Sequence, residues 1–97
     1  MIGVLVTFQY GNEFDGAKIQ QIADAAQGRF QGLPGLRSKA FTIDTTKRAA
    51  INFYVWDSEE AARAFFTQAV LERVTGLYGV QPNVQFVQIA ALVDNAE

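Results

Sequence analysis

The sequence contains no histidine and no cysteine. It therefore cannot form a Ser-His-Asp or Cys-His catalytic group, a zinc or haem site with histidine or cysteine ligands, or a disulfide. Its carboxylates lie mostly at predicted turns and helix starts, such as Asp15, Asp44 and Asp57, where helix capping and turn formation explain them. We expect no metal site, and any catalytic base must be a group other than imidazole.

Long apolar runs and an excess of positive charge are also absent. No apolar run approaches the roughly 20 residues of a membrane span. The net charge of −2 argues against binding to a phosphate backbone, so neither membrane nor nucleic acid is expected as a partner. The N-terminus lacks a basic leader and a small-residue cleavage site, which predicts a cytoplasmic protein.

The few basic residues are unevenly distributed. Five of the eight lie between positions 29 and 48, namely Arg29, Arg37, Lys39, Lys47 and Arg48. A solvated basic edge explains this cluster more simply than a site for an anionic ligand, although the sequence leaves both interpretations open.

The length of 97 residues, with 49% hydrophobic and 19% charged side chains, predicts one globular domain over residues 1–97. Residues 2–10 and 84–93 alternate as strands do, and residues 49–56 are dense in β-branched and aromatic side chains. A polar turn joins residues 49–56 to a preceding strand over 36–43 as a hairpin. Neither face of 36–43 is cleanly apolar, so its inward face stays open.

Two amphipathic helices are predicted between the strands. Asp15 is the expected N-cap of the first, and Asp57 or Ser58 caps the second. Their apolar stripes comprise Ile19, Ile22, Ala23, Ala26 and Phe30 in the first helix, and Ala61, Ala62, Phe65, Phe66, Ala69 and Val70 in the second. Gly76 to Gly79 are expected to form a loop. The order βαββαβ predicts a ferredoxin-like α+β fold, in which a four-stranded antiparallel sheet carries both helices on one face.

The sheet face opposite the helices would be exposed in a monomer. Strands one, three and four carry apolar residues on both faces, and a bare apolar face of this size is a liability. The sequence therefore predicts a homodimer in which two such faces meet.

Three segments resemble a known family. LPGLRSKAF, INFYVWDSEEAARAFF and VQFVQIAALVDN are similar to the YdhR-type monooxygenases of the dimeric α/β-barrel superfamily, which includes the antibiotic biosynthesis monooxygenase domains. The likeness runs from the first strand to Asp94 and is most specific at Pro34 to Lys39 and at the start of the second helix. It implies a homodimer, a dimeric α/β barrel, with a pocket in each protomer between sheet and helices.

The resemblance also implies an activity and a site. It points to a cofactor-independent monooxygenase acting on a small aromatic or polyketide-like substrate, and therefore to no cofactor. Asn52 and Trp56 match an Asn-x-x-x-Trp pair that quinone-forming members place in the pocket, and Lys39 matches the family lysine after Pro-Gly. Phe41 stands where relatives often have tryptophan. The haem-degrading branch uses an axial histidine and is excluded.

Cofactor-free oxygenation needs an apolar slot, polar donors aimed at a developing oxyanion, and a base. Asn52, Trp56 and Lys39 are the candidate catalytic donors. The candidate substrate-binding residues are Phe8, Tyr10, Arg37, Phe41, Tyr54, Phe65, Phe66 and Tyr78. The base is not evident, and only a desolvated Lys39 or a tyrosinate could serve.

Each candidate also has an ordinary explanation. Asn52 could satisfy a buried backbone group, Trp56 could anchor the core or a dimer interface, and Arg37 could form a surface salt bridge. The alternative function is accordingly a non-catalytic dimeric module that binds a small hydrophobic ligand or a partner protein.

Overall fold

The computed structural model describes residues 1–95, which form four strands and three helices. In chain order these are β1 (Ile2–Gln9), α1 (Gly16–Phe30), β2 (Leu36–Asp44), β3 (Ala49–Trp56), α2 (Glu59–Phe65), α3 (Gln68–Tyr78) and β4 (Asn83–Gln88). None of the helices in this part of the chain is long and apolar enough to cross a membrane.

The four strands form one antiparallel sheet in the order β2-β3-β1-β4. β1 and β3 are the two central strands, as their apolar composition indicates. The side chains of β1 that point toward the helices are the most buried, including Val4, Val6 and Phe8. The ferredoxin-like α+β fold is confirmed.

β2 faces the helices with Lys39, Phe41 and Ile43, which pair with Tyr54, Asn52 and Ala50 of β3. A β-bulge between Leu36 and Ser38 inserts one extra residue, so strict alternation does not hold across the whole strand. The extra residue is Arg37, which is exposed and forms an ion pair with Asp57 at 3.6 Å. The sequence did not decide which face of β2 points toward the helices; in the structure it is the face that carries Lys39.

The second predicted helix is divided into two, so the helix layer has three members instead of two. Of the two predicted caps, Ser58 is the one that caps α2, by accepting from the backbone N–H of Ala61 at 3.1 Å. Thr67 then adopts an extended backbone, and its hydroxyl accepts from the N–H of Val70 at 3.2 Å, which starts α3. A threonine hydroxyl that accepts from the N–H of the next turn favours the start of a new helix. The apolar stripe of the sequence does not by itself reveal this break.

Two boundaries also differ from the prediction. α3 continues to Tyr78 and ends at Gly79, whose φ of 86° is a left-handed C-cap, so Leu77 and Tyr78 belong to a helix and not to a loop. β4 ends at Gln88 instead of Val93. Gln88 pairs with Ile2, the first residue of β1, so the neighbouring strand offers no further partner.

Candidate active site

A cavity of about 280 Å³ lies between the helix-facing side of the sheet and the helices. This is just below the roughly 300 Å³ at which the usual range of small-molecule sites begins, so the cavity is suited to a small ligand. Its lining consists of Ile22, Ala26, Arg29, Phe30, Leu33, Lys39, Phe41, Asn52, Tyr54, Phe65, Val70, Arg73, Val74, Leu77 and Tyr78. Apolar and aromatic side chains dominate, and three cationic, one amide and two phenolic side chains interrupt them.

Lys39 points its ammonium group into a cluster of aromatic rings. The Nζ atom lies 3.5 Å from the ring centre of Phe30, 4.0 Å from that of Phe41 and 4.4 Å from that of Tyr54. Burial, and to a smaller extent the positive charge of Arg29, lower the pKa of Lys39 to about 7. The ring faces favour the charged form and therefore act against this shift. At neutral pH a large fraction of Lys39 is therefore a free amine.

Asn52 and Tyr78 form the polar pair of the cavity. Asn52 is 3% exposed, and its Nδ2 donates to the Tyr78 hydroxyl oxygen at 3.2 Å. Because that oxygen accepts from Asn52, the Tyr78 O–H proton is free to donate to a ligand. Asn52 retains a second N–H, so two donors are available at one wall.

The phenols of the cavity are not candidates for the base. Burial raises the pKa of Tyr78, although the hydrogen bond from Asn52 opposes this shift, and burial raises the pKa of Tyr54 far above its ordinary value. Both stay protonated at neutral pH and act as donors. Among the described residues, none of those lining the cavity carries a carboxylate, imidazole or thiolate, so the side chain suited to accept a proton is the Lys39 amine.

Six of the eleven candidates named from the sequence line this cavity: Lys39, Phe41, Asn52, Tyr54, Phe65 and Tyr78. The other five candidates do not line the cavity. Three of these, Phe8, Tyr10 and Phe66, lie behind the lining residues. The Phe8 ring stacks on that of Tyr78 with centres 3.8 Å apart, and the Tyr10 hydroxyl donates to the Tyr78 carbonyl at 2.7 Å. Phe8 and Tyr10 therefore hold Tyr78 in place.

Trp56 and Arg37 were also expected at the pocket, and the structure places both outside its lining. Trp56 shares a strand face with Asn52 but lies two residues beyond Tyr54, where Phe65 and Phe66 cover its ring. It is 1% exposed, and its Nε1 has no hydrogen-bond partner among the described residues. Arg37 is directed outward because it is the extra residue of the β2 bulge.

The helices contribute lining residues that the sequence reasoning did not name. Arg29 and Phe30 end α1, whereas Arg73 and Leu77 belong to α3. Phe30 belongs to the apolar stripe of the first helix, so its inward position was foreseeable. Arg73 lies three residues after Val70, which places both on the same helix face. Arg73 was missed because the predicted apolar stripe ended at Val70, and Leu77 was missed because residues 76–79 were expected to be a loop.

The fold is similar to that of several solved structures. The ActVA-Orf6 monooxygenase of Streptomyces coelicolor, solved in complex with nanaomycin D, matches with a TM-score of 0.69 and 22% identity over 98% of this chain and 92% of that chain. SnoaB, a cofactor-independent oxygenase from Streptomyces nogalater, matches with a TM-score of 0.67 and 15% identity over 95% of both chains. A Nitrosomonas europaea protein of unknown function matches with a TM-score of 0.73 and 13% identity over 99% and 95%.

No protein-family profile matches the chain, and no curated protein matches it. At the identities found, the likeness to solved structures shows a shared fold and not a shared reaction. The YdhR-type resemblance stays a prediction.

Proposed function

We propose that the protein is a cofactor-independent monooxygenase that oxidises a small aromatic or polyketide-like substrate in the cavity. The observation that carries the proposal is the position of the Lys39 amine, which lines the same aromatic cavity as the Asn52–Tyr78 donor pair. Solved structures of the same fold include a monooxygenase and a cofactor-independent oxygenase.

An anthrone illustrates the reaction. The Lys39 amine takes a proton from the CH₂ carbon opposite the carbonyl, and the negative charge moves to the carbonyl oxygen. Tyr78 O–H and the second Asn52 N–H donate to that oxyanion, which stabilises the carbanion form. Both tyrosines of the cavity stay protonated, so they do not compete with Lys39 for the proton.

The substrate itself supplies the electrons. The carbanion transfers one electron to O₂, and the resulting radical pair combines to a peroxide on the same carbon. The Lys39 ammonium returns its proton to the peroxide, which then eliminates water. In sum, a CH₂ group and O₂ become a carbonyl group and H₂O, and the amine is regenerated.

The non-catalytic alternative would use the same cavity but does not require an amine at this position. Burying a lysine costs stability, and that cost is understandable if the amine works as a base. The sequence predicted a desolvated Lys39 as one of two possible bases, and the raised pKa values of the tyrosines argue against the other.

The decisive measurement is oxygen uptake with a panel of anthrones and hydroquinones, in the presence and absence of a chelator. We expect chelator-insensitive uptake that falls by about 10- to 1000-fold in Asn52→Ala and Lys39→Met. Asn83→Ala and Lys47→Met are the matched controls, because both residues are exposed and neither lines the cavity. Uptake that is equal in the site variants and the controls would disprove the assignment of the site.

The proposal includes a homodimer formed through the open face of the sheet. Leu5, Ile51, Phe53 and Val87 lie on this face and are only partly buried in the single chain. Apolar side chains in the middle of a sheet are normally covered, so a second copy of the face is a suitable partner.

A further inference from the structure

Three basic side chains line the cavity, and among residues 1–95 no acidic side chain does. Arg29 comes from the last turn of α1, Arg73 from α3 and Lys39 from β2. Both arginines are exposed residues that also line the cavity, so each borders both the cavity and solvent. The apolar interior thus has a positively charged mouth.

The two cavity arginines differ from the arginines elsewhere on the surface. Arg37 pairs with Asp57 and Arg63 with Glu59, whereas Arg48 donates to Asn12. Within residues 1–95, neither Arg29 nor Arg73 forms a salt bridge or a side-chain hydrogen bond. The carbonyl end of α1 favours a cation at Arg29, but Arg73 lies in the middle of a helix and has no such partner.

Like charges that line one cavity without a counterion repel each other. Arg29 already acts on Lys39, because its charge contributes to the lowered pKa of that residue. A bound anion would offset this repulsion, and a guanidinium binds a carboxylate through two parallel hydrogen bonds.

We infer that the cavity takes an aromatic acid, whose rings occupy the apolar interior and whose carboxylate lies between Arg29 and Arg73. This inference deepens the proposed function and rests on it, since it names the class of substrate that the oxygenase would accept. The reacting ring then lies deeper, toward Lys39 and the Asn52–Tyr78 pair. Of the two interpretations that the basic cluster in the sequence left open, Arg29 and Lys39 fit the anion site, whereas Arg37 fits the solvated edge.

The test compares 2-naphthoate with 2-naphthamide, which have the same shape and differ in charge. Isothermal titration calorimetry with the full chain measures the dissociation constant of each, so no turnover is needed. We expect the carboxylate to bind about tenfold more tightly, as charge-assisted hydrogen bonds to two arginines imply. Raising the salt concentration from about 0.05 to 0.5 M should reduce this preference and leave the binding of the amide unchanged.

Variants then locate the carboxylate. Arg29→Gln and Arg73→Gln should each reduce the preference by about threefold, and the double variant should abolish it while the amide binds as before. Lys18→Gln is the control, because it removes one positive charge from the exposed start of α1 and does not line this cavity. Both arginines are exposed, and circular dichroism verifies that the variants stay folded.

Three results would overturn the inference: equal affinity of wild type for both compounds, no binding of either, or a preference that survives in the double variant. The outcome is separable from that of the oxygen-uptake experiment, which uses neutral anthrones. Arginine-dependent preference without any oxygen uptake would keep the anion site and reject the oxygenase. Oxygen uptake without an arginine-dependent preference for the carboxylate would keep the oxygenase and reject the anion site.

Discussion

Replacing Lys39 with methionine should make the protein more stable at neutral pH while removing the proposed oxygenase activity. The pKa of Lys39 falls from 10.5 to about 7 in the folded chain. The folded state therefore binds this proton more weakly than the unfolded state does, so protonation favours unfolding. The penalty is absent above pH 10.5, grows as the pH falls toward 7, and is constant below that value.

The size of the effect follows from the linkage between pKa and stability. The full shift corresponds to an upper limit of about 4 to 5 kcal/mol at pH 7. Lys39 is partly exposed, and three ring faces stabilise its ammonium form, so we expect a smaller gain of about 1 to 3 kcal/mol for Lys39→Met. Methionine retains most of the aliphatic packing, so its own cost is small.

Urea unfolding of the wild type and of Lys39→Met at several pH values between 6 and 10.5 measures the difference. We expect the variant to be more stable near pH 7 and the gap to close as the pH approaches 10.5. Lys47→Met, an exposed position in the hairpin turn, should show no such trend. A gap that does not change with pH would refute the reasoning, because it would mean that Lys39 titrates alike in the folded and unfolded states.

The remaining predictions concern stability and assembly. Ser58→Ala and Thr67→Ala should each lower the free energy of unfolding by about 1 kcal/mol in urea titrations, since each removes an N-cap. An unchanged free energy of unfolding would mean that these residues do not start the helices. Gly35→Ala should lower the free energy of unfolding by about 1 to 3 kcal/mol, because the φ at this position is 84° and a new Cβ would lie 2.8 Å from the Cβ of Ala61. Trp56→Phe should leave the Michaelis constant unchanged in the oxygen-uptake assay, because the indole is outside the cavity lining. A large increase in the Michaelis constant would indicate that Trp56 contacts the substrate. If the proposed homodimer forms through the open sheet face, Phe53→Asp should give a smaller species than the wild type by analytical ultracentrifugation, and an unchanged mass would argue against that pairing.

The sequence predicted the fold well because local and global signals agree. Asp15 caps α1 as expected, Ser58 is the one of the two expected residues that caps α2, and the apolar stripes of β1 and α1 contain the buried residues. The errors occurred where a boundary depends on a partner or a cap. β4 stops because β1 has no further residue to pair with, and α2 stops because Thr67 starts a new helix.

The site was predicted only in part. Alternation along β3 placed Asn52 and Tyr54 on one face, and both line the cavity. The same alternation placed Trp56 on that face, but it cannot show how far along the strand the cavity extends. Phe65 and Phe66 cover the ring of Trp56, and their position depends on the break between α2 and α3.

The sequence alone determined the order of strands and helices, the absence of imidazole and thiol chemistry, and the strand face that carries the amide. These are properties of composition and of local periodicity. The tertiary structure decided which residues meet. The bulge at Arg37 turns Lys39 inward, the rings around Lys39 remove it from water and lower its pKa, and α1 and α3 bring Arg29 and Arg73 to one cavity. Burial and the approach of distant charges arise only when the helices pack on the sheet, so no local pattern could predict them.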